Sequence, residues 1–172
     1  MKAPHILGAA AMAAAIACSG VPARSVEAQS AMPHPGDGSA AAVPAGDEGF
    51  TWGPAPAVFP AGATMAVLQG DPSVAGAPFT VRLRFPNGYV IPPHWHPTDE
   101  NVTVIAGNFL VGMGDRYDAS KFMPPLRAGA FITAPSRMNH FAMARGATEV
   151  QVHAIGPFAM TYANQADTPR PR

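Results

Sequence analysis

Cysteine, lysine and charge are scarce in this 172-residue chain. A single cysteine, Cys18, excludes an internal disulfide and any cysteine-based zinc cluster. The only lysines are Lys2 and Lys121, so a lysine nucleophile has almost nowhere to come from. Charged residues make up 13% of the chain, and its 11 basic and 11 acidic side chains cancel. Without a basic excess to neutralise phosphates, nucleic acid is not an expected partner. There are no heptads, no internal repeat and no glycine-rich phosphate loop, which argues against coiled coils and nucleotide-binding folds. Also lacking is an apolar run of the ~20 residues that a membrane-spanning helix needs.

Proline and glycine are plentiful, at 20 and 17 residues, while 48% of the chain is hydrophobic. Proline removes helix donors and glycine weakens helix interiors, so this composition favours many turns and short strands around a real core. The expectation is an all-β domain.

Residues Met1 to His5 carry one lysine, and Ile6 to Ala17 is an uninterrupted run of apolar and small residues. That is the pattern of a secretory signal peptide. Small residues at Val26-Glu27-Ala28 place cleavage after Ala28, which gives an exported protein, periplasmic or secreted, with no cysteine left. An alternative reading takes Ala15-Ile16-Ala17-Cys18 as a lipoprotein box and tethers the protein through a lipid on Cys18, although Ala15 stands where leucine is usual. Residues 29–49 are mostly Ala, Pro, Gly, Ser and Asp and read as a flexible linker. The folded unit is expected over 50–163, with a loose tail at 164–172.

Phe79 to Phe85 alternates apolar and polar residues without a break, the period of a strand with one buried face. Asn87-Gly88 follows and predicts a hairpin turn into Tyr89–Ile91. Further strands are expected at Ala63–Leu68, Asn101–Ile105, Phe109–Met113, Ala130–Ala134, Phe141–Ala144, Thr148–Ala154 and Phe158–Tyr162, with one helical turn around Asp115 to Lys121. Short, evenly spaced strands point to a sandwich or barrel.

The informative stretch runs from Gly88 to Gly107 and contains His94, His96 and Glu100. Histidines two apart on a strand leave the same face and can close on one ion. Glu100 opens the next strand beyond the Pro97-Thr98-Asp99 turn, close enough to add an oxygen ligand. A further nitrogen has its candidate in His140, at the end of Gly129 to His140. Three imidazoles and a carboxylate suit one divalent first-row ion, with iron, zinc, copper, manganese and nickel all open.

At this point the sequence resembles the cupin superfamily. Gly88, His94, His96, Glu100 and Gly107 match the first cupin motif at each fixed position, with its gaps. Gly129, Pro135 and His140 match the second, in which Arg137 replaces the inner glycine and Ala144 the closing asparagine. The resemblance covers roughly Phe79 to Ala154. It implies a cupin-like double-stranded β-helix, a jelly-roll barrel of one domain, with the metal held inside by His94, His96, Glu100 and His140. It also implies a homodimer.

Parity along the strands places Val102 and Val104 on the face of Glu100, and Met138 and Ala142 on the face of His140, giving an apolar pocket. Trp95 points away and packs. Arg82 and Arg84 share what reads as a solvated outer face, with capture of a substrate carboxylate as the alternative. His153 shares its face with Glu149 and Gln151 and is a candidate catalytic residue beside Glu100, although a hydrogen-bonded structural histidine is the blander reading. His34 in the linker is incidental.

No Ser-His-Asp order or carboxylate pair accompanies the motif, so the metal is expected to carry the hard chemistry. Three readings follow. The first, from the resemblance, is a dioxygenase-like oxidoreductase acting on a small organic substrate. The second is a redox-silent isomerase, lyase or hydrolase. The third is a non-catalytic module that binds a small molecule or metal.

Overall fold

The computed structural model describes residues 49–170. The readings for residues 1–28 and for nearly all of 29–49 lie outside the described residues. Nine strands follow in order: β1 (Gly53–Pro54), β2 (Thr64–Gln69), β3 (Pro78–Phe85), β4 (Val90–Trp95), β5 (Glu100–Met113), β6 (Leu126–Arg127), β7 (Phe131–Ala134), β8 (His140–Ile155) and β9 (Thr161–Tyr162). The described residues are all-β: a curled antiparallel sheet that forms a jelly-roll barrel, with two single 3-10 turns among them at Ala119–Lys121 and Gln165–Asp167. No helix among the described residues is long and apolar enough to cross a membrane.

Two long strands organise the barrel. Residues Thr148–Ile155 of β8 pair with β3, while its first residues, His140–Met143, pair with β4. On its other side β8 runs against β5, from Asn101↔His153 to Met113↔His140. Each long strand thus belongs to both ends of the curled sheet. The bend falls where the β5–β8 register shifts, around Ala106, next to Gly107. Gly107 has φ +81°, and a Cβ there would collide with the Ala147 carbonyl and Thr148, so only glycine fits. The expected breaks between Ile105 and Phe109, and between Ala144 and Thr148, are bends within continuous strands.

The alternation in β3 sorts the two faces as expected. Phe79, Val81, Leu83 and Phe85 are buried, opposite Ala154, Val152, Val150 and Thr148 of β8. Each fully buried Val or Phe contributes about 1.5–3 kcal/mol. Phe85 stacks between Tyr89 and Phe109, with ring centroids 5.0 and 5.9 Å away. On the outer face, Glu149 accepts from Arg82 Nη1 at 3.0 Å and Arg84 Nε at 2.9 Å. Phe50 lies under the Arg82 guanidinium at 4.9 Å and Trp52 under that of Arg84 at 3.8 Å. The outer face is therefore not simply solvated. An incoming strap of aromatic residues covers it, and the two arginines are engaged by Glu149.

Three local expectations need correction. Tyr89 N–H donates to the Pro86 carbonyl at 3.1 Å, so Asn87-Gly88 does form a turn, but β3 and β4 do not pair with each other. Only Gly88 has positive φ there, +76°, whereas the tight hairpin turn needs it at both central residues. Both strands pair with β8 instead. The helical turn shrinks to Ala119–Lys121, capped by the Asp118 side chain, which accepts from Ser120 N–H. From the stretch Phe158–Tyr162 only Thr161 and Tyr162 join a ladder, because the preceding residues bond to loops.

Candidate metal centre

Three buried histidines meet at one end of the barrel. His94 lies near the end of β4, His96 just beyond it, and His140 is the first residue of β8, paired with His94. The two loops that carry them are tied together. Arg137 N–H donates to the His96 carbonyl at 2.8 Å, and Ser136 N–H to Asp99 Oδ1 at 2.7 Å. Arg137 takes φ +61°, the only non-glycine residue among those described with positive φ. The left-handed turn that a glycine would supply is thus kept, with arginine in its place. The guanidinium lies 6.0 Å over the Trp95 ring, outside the site.

The ring orientations follow from what each Nδ1 touches. His94 Nδ1 is 2.7 Å from the Pro92 carbonyl, His96 Nδ1 2.8 Å from that of Ala159, and His140 Nδ1 3.0 Å from that of Met138. A carbonyl oxygen only accepts, so each Nδ1 carries the hydrogen and each Nε2 keeps its lone pair when the ring is neutral. The three histidines offer ligand atoms within 4.8 Å of one another. Nε2 of His96 and of His140 are buried and have no hydrogen-bond partner. Buried polar atoms without partners are costly, and here they converge. This donor set fits one transition-metal ion, with carbonyls behind the rings fixing their tautomers.

Glu100, first in β5, brings a carboxylate to the same point. Its Oε2 is 3.6 Å from His96 Nε2 and 3.5 Å from His140 Nε2. Burial pushes this carboxyl up, but His96, His140 and His94 outweigh it and hold the pKa at about 2. Burial and the neighbouring charges of His140 and His96 push His94 down to about 3. His140 moves upward although burial opposes it, because the Glu100 carboxylate 3.5 Å from its Nε2 prevails. At neutral pH the cluster thus contains a carboxylate and at least one neutral imidazole.

A family model described as Cupin matches residues 73–168, more than half of the chain. The chain belongs to the cupin family. No curated protein matches it. Among solved structures, a conserved protein of unknown function from Streptococcus pyogenes aligns at 19% identity with a TM-score of 0.44, covering 57% of this chain and 77% of its own. An RmlC-like cupin from Shewanella frigidimarina aligns at 18% identity with a TM-score of 0.46, covering 56% and 80%. An oxalate oxidase aligns at 24% identity with a TM-score of 0.48, covering 68% and 65%.

Behind the histidines this cupin has a narrow cavity of about 30 Å³. Room for one or two waters needs little more than ~10–15 Å³ each. His94, Glu100 and His140 form its polar end, and residues such as Phe85, Ile91, Val102, Phe109 and Val152 form its apolar wall. Ala142 lines it as parity expects, whereas Val104 packs in the core without lining it. Met138 is 45% exposed: it precedes β8, in the turn where its N–H bonds to the Pro135 carbonyl, so strand parity does not extend to it.

His153 is not brought to this centre. Its neighbour Val152 lines the cavity, which turns His153 to the outer face, exposed, with Nδ1 3.0 Å from Thr80 Oγ1. The segment after β8 contributes what site reasoning missed. Phe158 stacks on His96 with centroids 5.4 Å apart, Met160 lines the cavity, and the Tyr162 ring lies 6.2 Å from His94. Tyr162 Oη donates to the Val58 carbonyl at 2.7 Å, and burial, with Asp167 nearby, pushes its phenol up to about 12. The alternation Phe158, Met160, Tyr162 was the available signal.

Proposed function

We propose that this cupin is an exported, dioxygenase-like enzyme that acts on a small, mostly apolar organic substrate. In this reading one divalent ion is held by His94, His96 and His140, with Glu100 as the oxygen ligand. The observation that carries the proposal is that all three Nδ1 atoms face carbonyls while the Nε2 atoms and Glu100 Oε2 converge at the end of an apolar cavity. A bound ion would supply dioxygen activation and charge stabilisation of an enolate or phenolate. The chain's own residues do the rest. The carbonyls of Pro92, Ala159 and Met138 hold the rings in one tautomer. Glu100 would offset the ion's charge, and among the described residues its carboxylate is the only acid–base group besides the histidines lining the cavity. The wall of Phe85, Ile91, Val102 and Phe109 makes the surroundings of the site apolar, and the space of about 30 Å³ behind the histidines takes a water or dioxygen, so the organic substrate would approach from outside it. Export rests on the signal-peptide pattern of residues 1–28.

The test is oxygen uptake by the metal-loaded full chain with a panel of small enolisable and phenolic compounds. Uptake in step with substrate loss, abolished by Glu100→Gln, supports the reading. Turnover that proceeds anaerobically would move the protein to the redox-silent class, and no turnover under either condition would leave a metal-binding module.

A further inference from the structure

A methionine lines the cavity beside the histidine cluster. β9 pairs with β4 through His94↔Tyr162 and Trp95↔Thr161. One step further in that antiparallel register brings Met160 level with His96, and residues opposite each other share a face. Two neighbours agree. Ala159 gives its carbonyl to His96 Nδ1 at 2.8 Å, and both Phe158 and Tyr162, two residues either side of Met160, approach the histidine rings. Ala159 and Thr161 are exposed between them, so the inward face of this segment is Phe158, Met160, Tyr162. Met160 is half-buried and lines the same narrow cavity as His94, Glu100 and His140, the one sulfur among its lining residues.

A second thioether lies on the strand beside His140. Met113 pairs with His140 across β5 and β8, two residues beyond Val111, and lies outside the cavity lining. It is half-buried against the core.

We propose that Met160, supported by Met113, is a metal-selectivity residue that makes this three-histidine centre accept copper, in its cuprous form above all. The inference rests on the metal-centre reading and deepens it. Thioether sulfur is a soft donor that favours Cu(I), whereas imidazole and carboxylate alone suit Zn(II) as well. A thioether within reach of a bound ion would therefore tilt the choice between these two metals without changing the histidines. Its polarizable, flexible side chain can approach the ion or withdraw to the wall.

The experiment titrates the metal-free full chain with Cu(I) under anaerobic reducing conditions against a chromophoric chelator, and separately with Zn(II). Wild type is compared with Met160→Leu and with the Met113→Leu, Met160→Leu double variant. Leucine conserves volume and apolarity, so packing is preserved, and thermal melts of the metal-free proteins check this. The expected result is a Cu(I) affinity about tenfold lower in Met160→Leu and lower again in the double variant, with Zn(II) affinity changed by less than about twofold. Unchanged Cu(I) affinity overturns the proposal. Equal weakening of Cu(I) and Zn(II) also overturns it, since it would mean that the methionine only props His96. If wild type binds neither metal, the metal-centre reading itself fails, which is a separate result.

Discussion

Arg137 donates its backbone N–H to the carbonyl of His96 across 2.8 Å, and does so from a left-handed conformation, φ +61°. One hydrogen bond thus fixes the loop before His140 against the loop that carries His96. A Cβ in this conformation costs roughly 1–2 kcal/mol, and glycine avoids it. Arg137→Gly is therefore expected to keep metal affinity within about twofold and to leave stability unchanged or raised by up to ~1 kcal/mol. Arg137→Val, β-branched and poorly suited to positive φ, should lose about 1–3 kcal/mol. Chemical denaturation of the metal-free variants, with metal titration beside it, checks both.

Glu100 is the one carboxylate at the cluster, with Oε2 3.5 Å from His140 Nε2 and 3.6 Å from His96 Nε2. Glu100→Gln keeps the shape and removes the charge that offsets a divalent ion. Its metal affinity should fall by at least about tenfold with the fold intact. Isothermal titration with Zn(II), paired with a circular dichroism spectrum, reads this out.

The pH dependence of metal binding follows from His140. The Glu100 carboxylate beside it raises its pKa above the ordinary 6.5 against the opposing effect of burial, so the empty site holds a proton at pH values where a free imidazole has lost it. A metal must displace that proton. Affinity is then expected to fall as the pH drops through and below neutrality and to climb as the pH rises past the raised value, with proton release on binding. Competition titrations at about pH 6, 7 and 8 in buffers of different ionisation enthalpy measure both the slope and the proton count. In Glu100→Gln, where the cause of the raised pKa is gone, the midpoint should move to lower pH.

Glu149 sits 3.0 Å from Arg82 and 2.9 Å from Arg84 on the outer face, its side chain only 13% exposed. Glu149→Ala leaves two guanidiniums side by side without their shared acceptor. A stability loss of about 1–3 kcal/mol is expected from the lost charge-assisted bonds, with metal content unchanged because the barrel wall separates the two places. Urea denaturation and metal analysis of the same preparation test this.

Much of this was legible in the chain. Phe79–Phe85 alternates because one face of β3 is core and the other meets Glu149, and a local period records that difference directly. His94 and His96 declare themselves by spacing, since two residues is the period of a strand. Long-range pairing was harder to read. Gly107 and Gly146 look like strand ends, yet β5 and β8 continue past them because each is held by the other across the bend. Asn87-Gly88 marks a turn, but which strands pair around it depends on β8, some sixty residues away. Met138 illustrates the limit of parity, which holds only within a ladder. Met160, just before β9, lines the cavity; the alternation of Phe158, Met160 and Tyr162 hints at an inward face, but the β4–β9 register that sets it beside His96 is long-range.

His94, His96 and His140 are positioned to hold one metal ion between them. The most direct measurement is the metal content of the purified full chain beside that of a His94→Ala, His140→Ala double variant, each shown to be folded. Near one equivalent of a single transition metal is expected in the wild type and next to none in the variant. Equal metal content in the two, or a folded wild type that neither carries nor takes up a metal, would contradict it.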